Sequence, residues 1–193
     1  MKKIITKSQK QRKDRINQII IGIILIGLMF FSVLGYALGG KEEESLEKVE
    51  YNKVEFLQDN SGYWNFEVNN KNFLTKYNPE ETKDISFISY FNLNSYSGKV
   101  LYFDSEFQEP NLEIARNLNE FILRVQNACK SEEDCKENYP IKNCSRDNII
   151  IIKEINEGEK ENIYQEDNCV FITASLGNQT KYADAFLFKV LGI

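Results

Sequence analysis

The 193-residue chain contains four cysteines, Cys129, Cys135, Cys144 and Cys169, and no histidine. Without imidazole it lacks the commonest general base, the usual nucleophile–His–acid triads and most hydrolytic zinc sites. The cysteines are separated by five, eight and 24 residues. None of these is the two-residue spacing of a zinc knuckle or a thioredoxin-type redox pair. An even number of cysteines outside the cytoplasm reads as disulfides, and four cysteines allow three pairings. Cys129–Cys135 with Cys144–Cys169 is the favoured one. Cys144 and Cys169 flank a hairpin expected around Ile149–Ile152 almost symmetrically about Asn156-Glu157, and a short loop returns from Cys129 to Cys135. No Gly-rich phosphate loop is present, and no metal site or cofactor is expected.

What remains is carboxylate chemistry. Asp104 ends the apolar run Val100-Leu101-Tyr102-Phe103, and Ser105-Glu106 follow it. In sheets with a crossover helix, ligands gather at the carboxyl ends of strands. Asp104 and Glu106 there could hold Ca²⁺ or Mg²⁺, or act as an acid/base pair. The plainer expectation is a strand-ending Asp that caps a turn beside a solvated Glu, since close acidic pairs are common in a chain this acidic. Tyr63, Trp64, Tyr90, Tyr96 and Tyr102 could form an aromatic face for sugar or peptide, although core packing already accounts for most of them. Two glycosylation acceptor triplets occur, Asn143-Cys144-Ser145 and Asn178-Gln179-Thr180, of which the second, in a loop, is the better placed.

The elements that must position these residues follow from periodicity. Val54 and Phe56, then Trp64, Phe66 and Val68, then Phe73, Thr75 and Tyr77 alternate with polar residues. With Asn69-Asn70 as a tight turn they predict a three-stranded antiparallel meander from about Val54 to Tyr77. Asn78-Pro79-Glu80-Glu81 is a helix start. Phe87 to Leu93 and Lys99 to Asp104 read as two more strands. Ile114, Ala115, Leu118, Phe121, Ile122, Val125, Ala128 and Cys129 recur at helical spacing and predict one long helix. Ile149–Ile152 and Val170–Thr173 are core strands, and Ala183, Phe186, Leu187, Val190 and Leu191 mark a closing helix. Lys99–Asp104, the long helix and Asn148–Lys153 fit a right-handed parallel crossover. The fold class expected is α+β: an N-terminal transmembrane helix, then one domain with a mixed, mainly antiparallel sheet and two principal helices.

The membrane expectation rests on residues 19–38, twenty residues from Ile19 to Leu38 without a charge. As a helix they extend about 30 Å, the thickness of a hydrocarbon core. Seven of the 24 basic residues and one of the 29 acidic ones precede this run, so the remainder carries a net charge of −11. The positive-inside rule then sets residues 1–18 as a basic cytoplasmic tail, 39–50 as an acidic stalk and 51–193 as an extracytoplasmic domain of a single-pass cell-membrane protein. A cleaved signal peptide with a site near Ala37-Leu38-Gly39 is the rival, but its apolar region would run only about 7–15 residues. The partners expected are the lipid bilayer, through Ile19 to Leu38, and an unidentified envelope protein. An acidic head repels phosphate backbones, so nucleic acid is not expected.

Basic tail, single span, acidic stalk and cysteine-bearing α+β head, with the strand Asn168-Cys169-Val170-Phe171-Ile172 and the closing run Asp184–Ile193, resemble uncharacterised small single-pass membrane proteins of archaea. That resemblance implies the same layout and carries no activity. Three functions are weighed. The first is a membrane-anchored extracytoplasmic binding or assembly module without catalysis. The second is a pilin-like filament subunit, against which Ile16-Asn17-Gln18 stands where a Lys/Arg-Gly processing site is needed. The third is a carboxylate-dependent hydrolase using Asp104 and Glu106.

Overall fold

The computed structural model describes the backbone of residues 7–38, 47–133, 135, 138–156 and 158–193, and within the first helix the side chains of residues 15–31. The chain falls into two compact units, Met1–Ser45 and Leu46–Ile193. The first contains α1 (Lys7–Leu38), 32 residues long. Every Ile, Leu, Met and Phe from Ile19 to Phe31 is exposed on it. Among the described residues no helix is long and apolar enough to cross a membrane. The side chains of residues 32–38, which complete the expected span, and residues 39–46 of the expected stalk lie outside the described residues.

The second unit contains, in order, β1 (Lys48–Tyr51), β2 (Val54–Gln58), β3 (Trp64–Val68), β4 (Lys71–Thr75), α2 (Pro79–Thr82), α3 (Leu93–Tyr96), β5 (Val100–Asp104), α4 (Gln108–Leu118), β6 (Arg124–Asn127), β7 (Asn148–Glu154), β8 (Asn162–Glu166), β9 (Cys169–Ala174) and α5 (Gln179–Leu191). It is an α+β fold, as expected, but with two sheets rather than one. β1-β2-β3-β4 form an antiparallel meander. Asn52 and Lys53, and Asn69 and Asn70, take positive φ at two of its turns, the geometry that matches the twist of adjoining strands. Residues 48–50, expected in the stalk, belong to β1, where Lys48 pairs with Leu57.

The other sheet is mixed, in the order β6-β5-β7-β9-β8. β5 lies parallel to both β6 and β7, β7 lies parallel to β9, and β8 alone is antiparallel. The sheet that holds the core is thus mostly parallel, not mainly antiparallel. Ile149, Ile150, Ile151 and Ile152 are all buried, which is what a central parallel strand covered on both faces requires. β7 and β9 do not form a hairpin: β8 intervenes, and the antiparallel turn lies at Asp167, where φ is positive.

One face of this sheet, with Leu101, Phe103, Ile150, Ile152, Val170 and Ile172, packs under Ile114 and Leu118 of α4 and under Ala183, Phe186, Leu187 and Val190 of α5. The other face, with Tyr102, Ile149, Ile151 and Phe171, is covered by the loop that carries Ala128 and Cys144. α5 also sends Phe188 and Leu191 the other way, into Phe56, Trp64, Phe66 and Phe73 of the meander. A helix apolar on opposite sides needs cover on both, and this is the reason for two sheets around one helical layer. Gly192, at φ 79°, ends α5, and Ile193 packs against the meander cluster.

Two expected elements are replaced. The long helix stops at Leu118, and Phe121 turns into the meander core while Arg124–Asn127 becomes an edge strand. Ile122 and Val125 continue the helical spacing, but Ile122 lies in the turn before β6 and Val125 serves the strand, because β5 offers it a parallel partner in Leu101. The strand expected over Phe87 to Leu93 is irregular chain leading into α3. Ser89 Oγ and Tyr90 N–H donate to the Gln165 side chain instead of to a ladder. The capping of α2 is as expected: Asn78 accepts from the Glu81 N–H, and Glu81 returns the bond to Asn78.

Candidate functional site

The parallel register brings the carboxyl ends of β5, β6 and β7 together at one edge of the sheet. From β5 the chain moves through α4 to β6 on one side, while β7 lies on the other. Such a switch in direction opens a crevice where ligands bind in open α/β sheets. A cleft of about 880 Å³ lies there. Asp104 and Glu106 line it from the β5 side, Lys153 and Glu154 from β7, Asn127 from β6, and Asn111 and Leu112 from α4. Val125 and Tyr139 add apolar surface.

Each wall has a local cause. Asp104 pairs with Ile151, so β7 runs on past it and delivers Lys153 and Glu154 to the rim. Ser105 Oγ accepts the Phe107 N–H and tightens the turn into α4. Asp104 Oδ2 accepts the Lys130 N–H at 2.9 Å, which ties the strand end to the cysteine loop. Asn111 Oδ1 is buried without a hydrogen-bond partner. Asp104 is the last residue of β5, and Glu106, two residues on, lines the same cleft. Lys153, Glu154 and Asn111 were not foreseen, because only the register of β5 on β7 and the placement of α4 bring them in. Among the described residues no three carboxylates or thiolates are grouped to hold a metal ion.

The disulfides are Cys129–Cys135 and Cys144–Cys169, the favoured pairing, with S–S distances of 2.05 and 2.08 Å. The second joins the loop to the first residue of β9. Lys142 Nζ lies 4.4 Å from the Tyr102 ring and Lys130 Nζ 4.6 Å from the Phe171 ring, so lysine stems extend the cover that the loop gives this sheet face. Contact with the Tyr102 hydroxyl, more than the neighbouring Asp147, holds the Lys142 ammonium above its usual range.

The aromatic face does not form. Trp64 (2% exposed), Tyr96 (1%) and Tyr102 are buried in three separate clusters, while Tyr90 is 84% exposed. Tyr63 lies under the Arg116 guanidinium, 5.1 Å from ring to carbon. Of the two glycosylation triplets, Asn143 is exposed and accepts from the Ser145 N–H and Oγ. Asn178 is half-buried, and its amide nitrogen, the atom a glycan would join, donates to both oxygens of Glu161 at 3.0 and 2.9 Å. Asn143 is thus the more accessible of the two. Compared with protein-family models, with characterised proteins and with solved structures, the chain matches none.

Proposed function

We propose that the protein is a single-pass, membrane-anchored binding module whose head lies outside the cytoplasm and takes its ligand in the cleft at the ends of β5, β6 and β7. The pair of disulfides carries this reading, because thiols so placed stay oxidised outside the cytoplasm and are kept reduced within it. The anchor is supported by α1, whose apolar side chains from Ile19 to Phe31 are exposed on every side with no charge among them. A helix apolar all round finds its solvent in lipid or in a protein core. The basic residues before Ile19 support the orientation.

Thiol labelling of intact cells tests this. An impermeant maleimide should label no cysteine before reduction and all four after an impermeant reductant. Labelling of free thiols only after permeabilisation would reverse the topology. A photo-crosslinker at Leu112, inside the cleft, should capture a defined envelope component, and Glu106→Ala should weaken the capture.

The hydrolase reading draws on one observation, that Asp104 and Glu106 line the same cleft as Lys153. Turnover of an ester, amide or glycoside by the full chain, abolished by Glu106→Gln, would favour it over binding alone.

A further inference from the structure

Behind the cleft, between the meander and the helical layer, two carboxylates are buried together. Glu113 of α4 is 2% exposed and Asp184 of α5 is fully buried. Both grip the corner between β4 and α2. The Lys76 N–H is shared by Glu113 Oε1 and Asp184 Oδ2, each at 3.1 Å, and the Tyr77 N–H donates to Asp184 Oδ2 at 2.9 Å. Glu113 Oε2 pairs with the Arg116 guanidinium at 2.8 Å. Asp184 Oδ1 is buried and meets no donor, and the shared Lys76 N–H sets the two carboxyl groups side by side.

Two carboxylates carry acceptors only, so two that are buried side by side can pair only if one is protonated. Glu113 has a guanidinium against it and is stable as the anion. Asp184 has only two neutral amides, both on Oδ2, which leaves Oδ1 as the atom free to carry hydrogen.

We infer that Asp184 is held as the neutral acid, donating a proton from Oδ1 to the Glu113 carboxylate, and that this shared proton latches the β4–α2 corner onto α4 and α5, tight in acid and loosened in base. The other charged groups near the pair are committed elsewhere. The Lys76 ammonium pairs with Glu109, Glu80 with Lys83, Glu81 with the α2 cap, and Glu161, at the start of α5, with Ser175 and Asn178. Among the described residues Arg116 is the one cation paired with either acid. Burial, and then the Glu113 charge, push the Asp184 carboxyl well above its ordinary range, and burial raises Glu113 less strongly against Arg116.

The sign of the linkage follows. An acid whose folded-state affinity for its proton exceeds that of the unfolded chain stabilises the fold fully below the ordinary aspartate range. That stability is lost as pH climbs towards the raised value. Loss of the proton sets two buried negative charges side by side, and the corner must open to hydrate one of them.

The test is urea unfolding of the full-length chain across a pH series, with Asp184→Asn and Glu113→Gln. Asparagine is the isostere of the protonated acid: its carbonyl accepts from Lys76 and Tyr77, and its amide donates to Glu113. Relative to Asp184→Asn, the wild-type unfolding constant should rise up to about tenfold per pH unit above the ordinary aspartate range. Asp184→Asn should be the better tolerated variant, because Glu113→Gln removes the partner of Arg116. Parallel pH curves for wild type and Asp184→Asn, or the reverse ranking of the two variants, would overturn the inference. Should neither variant fold, the carboxyl ¹³C resonance of Asp184 in the wild type decides. It should keep the shift of the acid through neutral pH, and a transition in the ordinary carboxylate range would sink the latch.

Discussion

Asn117 on α4 pairs with the backbone of Leu74 on β4 from both sides: its Oδ1 accepts the Leu74 N–H at 2.8 Å and its Nδ2 donates to the Leu74 carbonyl at 2.7 Å. β4 is an edge of the meander, and at Leu74 a side-chain amide stands where a fifth strand would lie. The same Nδ2 also bonds the Glu113 carbonyl, one turn back along its helix. The meander is therefore joined to the helical layer by polar pairing as well as by the Phe73 and Phe121 rings, which stack with centroids 6.2 Å apart.

Replacing Asn117 with Leu should leave the Leu74 N–H without its partner, while the Leu74 carbonyl keeps the Arg116 guanidinium at 3.0 Å. At about 1–3 kcal/mol the loss would match or exceed that of an average point substitution. Asn117→Asp, which keeps the acceptor and removes the donor, should fall between. Urea midpoints of the three proteins check the order. A leucine variant as stable as the wild type would mean that water satisfies Leu74 and that the meander docks by apolar contact alone.

The two disulfides should differ in worth. By the chain-entropy model, Cys144–Cys169, with a sequence separation of 25, contributes about 3.5 kcal/mol, and Cys129–Cys135, with a separation of 6, about 2 kcal/mol. Cys144→Ala/Cys169→Ala should lower the melting temperature more than Cys129→Ala/Cys135→Ala, because it also frees the loop that covers Tyr102, Ile151 and Phe171. The intact chain should gain the mass of four hydrogens on reduction. Equal melting temperatures for the two double variants would show that the loop stays on the sheet without its staple.

Glu161 should give a pH dependence opposite in sign to that of Asp184. It accepts from the Ser175 N–H at 2.8 Å, the Ser175 hydroxyl and both approaches of Asn178, at the start of α5, where Asn178 itself makes no cap bond. Burial pushes its carboxyl up, but the bonds from Ser175, Asn178 and Tyr182 outweigh burial and leave it below the usual glutamate range. Its stabilisation is thus present above that range and lost as pH falls through the lowered folded value. Glu161→Gln should cost about 2 kcal/mol at neutral pH, and the gap to wild type should close in strong acid. A gap that is the same at both pH values would remove the carboxylate from the account.

Much of the head was readable from local pattern. Trp64, Phe66 and Val68 alternate because one face of β3 is buried, and Asn69-Asn70 turns the chain because Asn accepts positive φ. Ile149 to Ile152, four β-branched residues in a row, read as a core strand and form β7. The misreadings arose where long-range partners decide the outcome. Ile122 and Val125 keep helical spacing with Ile114 and Leu118, yet the parallel edge of β5 makes a strand of Arg124–Asn127. Phe87 to Leu93 has strand residues but no ladder, since Gln165, far along the chain, takes up Ser89 and Tyr90. The carboxylate pair was invisible for a related reason. Glu113 looks like any helix-surface acid, and its burial depends on where β4 comes to rest. Asp184, set among Ala183, Ala185 and Phe186 in an apolar helix, was the one local sign of it.

Tyr96 provides a prediction of opposite direction to the others, a gain in stability. It ends α3, is 1% exposed, and packs edge-on against Phe91 and Phe186 at 5.4 and 6.2 Å. Its hydroxyl is buried without a hydrogen-bond partner, and burial holds the phenol well above its usual range, so it stays neutral. A phenol oxygen in that position has given up water for nothing, at a cost of about 1–3 kcal/mol. Tyr96→Phe keeps the ring and both edge contacts and deletes only the orphaned group, whereas Tyr96→Ala should cost about 3–5 kcal/mol for the cavity it leaves. Phenylalanine should therefore raise the melting temperature by roughly 2–4 °C for each kcal/mol gained in a domain of this size. A fall on Tyr96→Phe would mean that the hydroxyl has an internal water, and that the core beneath α3 is wet where it packs on α5.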